Sequence, residues 1–254
     1  MEERIDKIIL ERGLVSTRVR AEEIIKKYGV KVNGKLFSKP GKKVPTDAVI
    51  ELLAEEIPWV SRAAFKLIAA LDHWKIEVKD QTFIDLGAST GGFTEVLLER
   101  GLAKSYCVDV GQKQLHDKIK NDLRVVNLEK THARDLTEKL IPEEIDGLEK
   151  LIPEEIDGLV VDVSFISLEK VLPFTIPFLK VGAQIILLVK PQFELGPGAL
   201  NKAGVVKDSS QYPALLENIK QMALRNQLKW KGYMDSPILG GDGNAEFLGY
   251  FEKI

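Results

Sequence analysis

The apolar positions of this chain change period part-way along it. RIDKIILERG carries Ile5, Ile8, Ile9 and Leu10 at the spacing of one helix face, with Gly13 as a stop. Ser16 or Thr17 can cap a second helix, RVRAEEIIKKYG, which ends at Gly29. KVNGK then places Asn-Gly between extended residues, the strongest short hairpin signal, and after the turn KPGKKVP a last strand, AVIEL, follows. These elements predict a helix-helix-hairpin module over residues 1–55, with 56–60 as a linker.

From Thr82 the pattern alternates. Short apolar strands at TFIDLG, SYCVDVG, RVVNLE, GLVVDVSF and AQIILLVK are separated by helical segments, which argues for a parallel sheet covered on both faces. LKWKGYMDSPI and EFLGYFEKI come last with no helix between them and predict an antiparallel pair. The expected fold class is α/β: a Rossmann-like, mostly parallel seven-stranded sheet over 61–254, preceded by a small α+β module. EKLIPEEIDGL occurs twice, at 138–148 and 149–159. Eleven residues make about three helical turns, so a second copy can keep the same face inward, or it can form a surface loop.

Composition narrows the functions. With 44% hydrophobic and 29% charged residues the chain has an ordinary globular makeup. Its longest apolar runs, such as IILLV, fall short of the roughly 20 residues a membrane span needs. MEERIDK lacks a signal-peptide core, and the one cysteine, Cys107, fits a reducing compartment, so a cytoplasmic location is expected. The net charge of −2 hides an asymmetry. Residues 12–43 hold ten Lys or Arg against Glu22 and Glu23, a balance of 10 − 2 = +8. A small basic module of this kind suits the phosphates and 2′-hydroxyls of RNA.

DLGASTGGF, residues 85–93, follows the first strand of the sheet and opens a helix. Its glycines, Gly87, Gly91 and Gly92, permit a sharp bend and close approach of a ligand. The spacing is neither the dinucleotide fingerprint nor a P-loop. Asp109, 22 residues after Gly87, stands where a carboxylate grips ribose hydroxyls in doubly wound sheets, and Asp85 adds a second acid. Two acids without a phosphate cradle suit a cationic nucleoside such as S-adenosylmethionine; the competing reading makes the acids helix caps and the glycines a turn.

Four polar residues fall at strand ends or beside them: Asp162 after GLVV, Lys190 after IILLV, Glu246 in GNAEFL, and Lys66 within the apolar helix AAFKLIAAL. Snorkelling explains a lone Lys66. It explains Lys190 less well, since at the end of a central strand the side chain leads into the cleft. The set suits methyl transfer to a hydroxyl, in which a neutral lysine accepts the proton, helped by desolvation and by Lys66 beside Lys190 as a like charge.

In the contexts SRAAFKL, VVDVSF, LVKPQFE and GNAEFL these four resemble the catalytic tetrad of the FtsJ-type RNA 2′-O-methyltransferases. The whole chain, including VNGK, PWVSRAAFKL, DLGASTGGF, VDVGQKQL and KPQFELGPG…GVVKD, resembles the TlyA family, often called haemolysins, which joins an S-four-type RNA-binding module to an FtsJ-like domain. The resemblance implies methylation of cytidine ribose in ribosomal RNA or a ribosomal subunit, with S-adenosylmethionine as cofactor, and no metal or membrane. It makes Lys190 the proton acceptor, supported by Lys66, Asp162 and Glu246. Asp85, Gly87, Ser89, Gly91, Gly92, Phe93, Asp109 and Asp162 then belong to the cofactor site, and His132 stands where the family has asparagine near the adenine. Arg4, Arg18, Arg20 and Lys35 are the expected RNA contacts, with Arg62, four residues before Lys66 and so on the same helix face, near the target strand. The loop from Pro191 to Asp208 is long enough to close over a substrate. Membrane damage and non-catalytic RNA binding are the rival readings.

Overall fold

The computed structural model describes residues 2–15, 17–54, 57–138 and 155–254. Met1, Ser16, Glu55 at the end of the expected module, Glu56 at the start of the expected linker, and residues 139–154 of the repeated segment lie outside the described residues. The chain divides into two compact units, Met1–Pro58 and Trp59–Ile254.

The first unit runs β1 (Glu2–Arg4), α1 (Ile5–Glu11), α2 (Arg18–Tyr28), β2 (Val30–Val32), β3 (Lys35–Phe37), β4 (Lys43–Pro45) and β5 (Ile50–Leu52). Thr17 caps α2 by accepting from the Arg20 N–H, and Gly29 ends it at φ 79°. Asn33 and Gly34 both adopt positive φ, 49° and 77°, which gives the β2–β3 hairpin a turn matched to strand twist. One segment departs from expectation. KPGKKVP holds a strand as well as a turn, because β4 pairs antiparallel with β1 and buries Val44. Ile5, Ile8, Ile9, Ile24, Ile25, Val30 and Val32 join Val44 in a core of its own.

The second unit is built on β6 (Thr82–Leu86), β7 (Lys104–Val108), β8 (Val125–Leu128), β9 (Ile156–Val161), β10 (Leu179–Val189), β11 (Leu228–Asp235) and β12 (Phe247–Lys253). Their order across the sheet is β8-β7-β6-β9-β10-β12-β11. Neighbours from β8 to β10 are parallel, while β12 runs antiparallel to both β10 and β11. The expected antiparallel end pair is therefore a hairpin whose second strand inserts next to β10. Helices α3 (Ala64–Trp74) and α4 (Gly92–Glu99) pack with Phe83, Val160, Ile186, Leu188 and Leu248 on one face. Ile84, Leu86, Leu159, Val161, Ile185 and Leu187 meet the long helix Tyr212–Arg225 on the other. Both faces are covered, which is why these strands read as continuous apolar runs. Among the described residues no helix is long and apolar enough to cross a membrane.

Candidate active site

Winding reverses between β6 and β9, because the chain builds outward through β7 and β8 before returning to β9. Ligands bind beyond the strand ends at such a switch point. Side chains alternate across a sheet, so residues two apart share a face. Val160, Leu188 and Leu248 pack against α3 and α4. Two positions on from the first two, and two before the third, Asp162, Lys190 and Glu246 emerge toward the same helices. The last β10–β12 pair is Val189 with Phe247, which leaves Lys190 and Glu246 together just beyond the ladder. Lys66 reaches this point from α3.

The tetrad resolves into two amine–carboxylate pairs. Lys190 Nζ lies 2.6 Å from Asp162 Oδ1, and Lys66 Nζ lies 2.6 Å from Glu246 Oε2. Lys66, Lys190 and Glu246 are all buried, at 7%, 8% and 4% exposure, so these contacts act where solvent screens little. The like charge expected beside Lys190 was Lys66; the contacts that Lys190 makes are to Asp162, to Ser164 Oγ at 2.9 Å, and across the Phe193 ring at 5.9 Å.

Bordered by Asp162 lies a cleft of about 660 Å³, a volume typical of small-molecule sites; Lys66 and Glu246 do not line it. Gly87, Ser89, Asp109, His132 and Asp162 line it among apolar walls from Val108, Val110, Ala133, Val163 and Phe174. A smaller recess of about 190 Å³, lined by Ser61, Asp85, Gly92, Phe93 and Lys190, shares Gly87, Ser89, Asp162 and Ser164 with the cleft. Gly87 sits at φ 83°, and a Cβ there would come within 2.6 Å of the Asp162 carbonyl oxygen. Gly91 does not line either space; its φ is 92°, and the place of a side chain is taken by Leu115 and Ile119. Phe93 is also part of the core under α3.

The two acids of the glycine loop differ. Asp109 accepts from the Ser89 N–H at 2.8 Å and the Gly111 N–H at 2.7 Å, so it shapes the loop that it borders. The loop amide of Ser89 is thereby used internally, which agrees with the lack of a phosphate cradle. Asp85 is wholly buried; its Oδ2 accepts from Thr94 N–H and Oγ1, while its Oδ1 has no protein partner. Burial pushes the Asp85 carboxyl up to about 7, against the pull of the Thr94 hydrogen bonds and with Asp162 adding to the rise. An orphaned carboxylate oxygen in the recess, a glycine floor and apolar walls fit a ligand with an ammonium at one end and a flat base at the other. Cys107 is buried among Thr94 and Ser105, and burial pushes its thiol up to about 12, the state of an inert core cysteine.

The expected RNA contacts are placed unevenly. Arg4 and Arg18 both donate to Asp6, a fully buried carboxylate that the sequence reading passed over. Burial pushes that carboxyl up, and the two guanidiniums more than offset it, holding it at about 2. Arg20 pairs with Glu23 at 3.1 Å, and Lys35 is exposed at the start of β3. Arg62 precedes α3, in a turn of i→i+3 bonds from Ser61 to Lys66, so the helix-face relation to Lys66 does not hold. The Pro191–Asp208 loop is shaped as well, with a bridge between Leu200 and Val206. Buried Asn244, also missed, accepts from the Val206 N–H and donates to the Gly204 carbonyl, each at 3.0 Å.

The FtsJ-like methyltransferase family model matches residues 59–253, and the S4 domain model matches 3–50. This chain belongs to the FtsJ-like methyltransferase family. It is 42% identical over 250 residues to the 16S/23S rRNA (cytidine-2′-O)-methyltransferase TlyA of Mycobacterium tuberculosis, covering 96% of this chain and 88% of that protein. Hemolysin A of Brachyspira hyodysenteriae is 36% identical, covering 98% of this chain and 99% of its own. A solved structure from Streptococcus thermophilus is 37% identical with a TM-score of 0.71, covering 99% of this chain and 88% of that one. The likeness thus runs along nearly the full length of this chain and most of each of these relatives.

Proposed function

We propose that this protein transfers a methyl group from S-adenosylmethionine to the 2′-hydroxyl of cytidine in ribosomal RNA. The observation that carries this is the Lys190–Asp162 contact in the wall of a glycine-lined recess, with the buried Lys66–Glu246 pair beside it at the end of the β10–β12 ladder. The Mycobacterium relative, whose name states cytidine 2′-O-methylation of ribosomal RNA, supports the choice of substrate.

When bound, S-adenosylmethionine supplies a methyl group already activated on a sulfonium. Asp85, whose Oδ1 has no protein partner, would hold its ammonium, Asp109 its ribose, and His132 with the apolar wall its adenine. A ribose hydroxyl is a weak nucleophile until its proton leaves. Lys190 Nζ would take that proton. Asp162 holds the amine, and the Lys66–Glu246 pair ties α3 to the start of β12 beside it, so that alignment rather than new chemistry is the protein's contribution. Arg4, Arg18, Arg20, Lys35 and Arg62 hold the RNA backbone.

The test is to incubate ribosomal RNA and isolated subunits with the protein and the cofactor, then map alkali-resistant linkages. New 2′-O-methyl cytidines are expected, and none with Lys190→Ala. Absence of any with the unaltered protein on every substrate, or equal yield from the variant, would reject the reading.

A further inference from the structure

Lys190 Nζ has two protein partners from one loop: Asp162 Oδ1 at 2.6 Å and Ser164 Oγ, which accepts a hydrogen bond at 2.9 Å. An amine able to take a proton carries two N–H bonds and one lone pair. Asp162 Oδ1 attracts the amine as a charge without meeting hydrogen-bond geometry, whereas the bond to Ser164 fixes the direction of one N–H and with it the rotation that sets the lone pair. With Asp162 alone, rotation about the Cε–Nζ bond would exchange a hydrogen with the lone pair, and the base would face its target only part of the time.

The placement of Ser164 is built in. It follows β9 by three positions and is shared by the cleft and the recess, at the point where they join. Phe165, next in the chain, has φ 64°, a backbone state that a non-glycine residue keeps only when its surroundings impose it. Its ring packs on Phe193 at 5.1 Å, and Lys190 Nζ lies over that same Phe193 ring. The turn that sets Ser164 is therefore tied to the segment that follows Lys190.

We propose that Ser164 is a positioning residue whose hydroxyl oxygen holds one N–H of Lys190 and so aims the amine's lone pair at the ribose hydroxyl. This rests on Lys190 being the proton acceptor. Ser164 is exposed at the surface of the site, so its substitution spares the core.

The full chain carrying Ser164→Ala or Ser164→Thr is assayed with S-adenosylmethionine and ribosomal RNA, and cofactor affinity is measured by calorimetry. Ser164→Ala is expected to lower kcat by about tenfold or more, leaving the RNA KM and the cofactor Kd within about twofold, as misaimed rather than lost groups do. Ser164→Thr, which keeps the hydroxyl, is expected to recover most of the rate. An alanine variant with unchanged kcat, a loss traced to cofactor affinity, or a threonine variant as slow as alanine would each overturn the proposal. Lys190→Ala run alongside separates the two ideas: if it stays active the base assignment fails, whereas if it is dead while Ser164→Ala is unimpaired only the role of Ser164 fails.

Discussion

Lys66 Nζ and Glu246 Oε2 stand 2.6 Å apart, joining a helix to the start of the one strand that runs against the sheet, with both side chains nearly wholly buried. Removing one partner of a buried pair costs about 3–5 kcal/mol, because the other charge is left unpaired. Glu246→Ala should therefore lower both the melting temperature and methyl transfer. The double variant Lys66→Met with Glu246→Leu should regain most of the stability and none of the activity. A double variant that methylates RNA normally would make this pair a structural tie alone.

Strand alternation made the sheet legible in the sequence, and with it the positions of Asp162, Lys190 and Glu246 at one edge. Which amine meets which carboxylate was not legible. That depends on β12 inserting beside β10 and on the tilt of α3, neither of which leaves a local pattern. Arg62 was misread because an apolar run does not show where a helix begins, and the i→i+3 turn at Ser61–Lys66 costs it the expected helix face. Arg4 and Arg18 are drawn to Asp6, 12 positions from Arg18, through the crossing of α1 and α2. Asn244 escaped notice because its partners lie about 40 positions away. Three-residue strands such as β4 hold too few residues for a period to be read.

Gly87 holds the cleft open through the absence of a side chain. Its φ of 83° and a would-be Cβ contact of 2.6 Å to a backbone oxygen leave no room for adjustment, since the neighbour is main chain at the end of β9. Gly87→Ala should push the loop away from Asp162 and weaken cofactor binding by about tenfold or more, at a stability cost of about 1–3 kcal/mol. Calorimetric titration with S-adenosylmethionine checks this. Wild-type affinity in the variant would show that the loop tolerates a shift.

Asp85 gives the unliganded protein a pH dependence of unusual sign. An unfolded aspartate loses its proton near 4, whereas the buried carboxyl keeps it until about 7. Between these values the folded state binds the extra proton, so this group favours folding below about pH 4 and that advantage is lost as pH rises through 7. Asp85→Asn removes the titration. Denaturant unfolding of the cofactor-free protein should show the variant gaining on the parent from pH 5 to pH 8 by an order of 3 kcal/mol. The same variant should bind S-adenosylmethionine less tightly, having lost the charge that faces the recess. Parallel pH curves for the two proteins would mean that Asp85 is ionised throughout.

Asp6 has the opposite sign and acts in the other unit. It is held at about 2 by Arg4 and Arg18, so its contribution is full above about pH 4 and disappears as pH falls through 2. Asp6→Asn keeps the shape but leaves two guanidiniums without their shared anion. The first unit should lose about 2 kcal/mol at pH 7, with the difference shrinking toward pH 2. Hydrogen exchange of the α1 and α2 amides reads this locally, without interference from the larger sheet. Because the two arginines are proposed RNA contacts, the slope of log affinity against log salt should become shallower in Asp6→Asn if their fixed placement matters to phosphate contact. An unchanged slope together with faster exchange would confine Asp6 to holding α1 against α2, and would move the RNA contact to exposed cations such as Lys35.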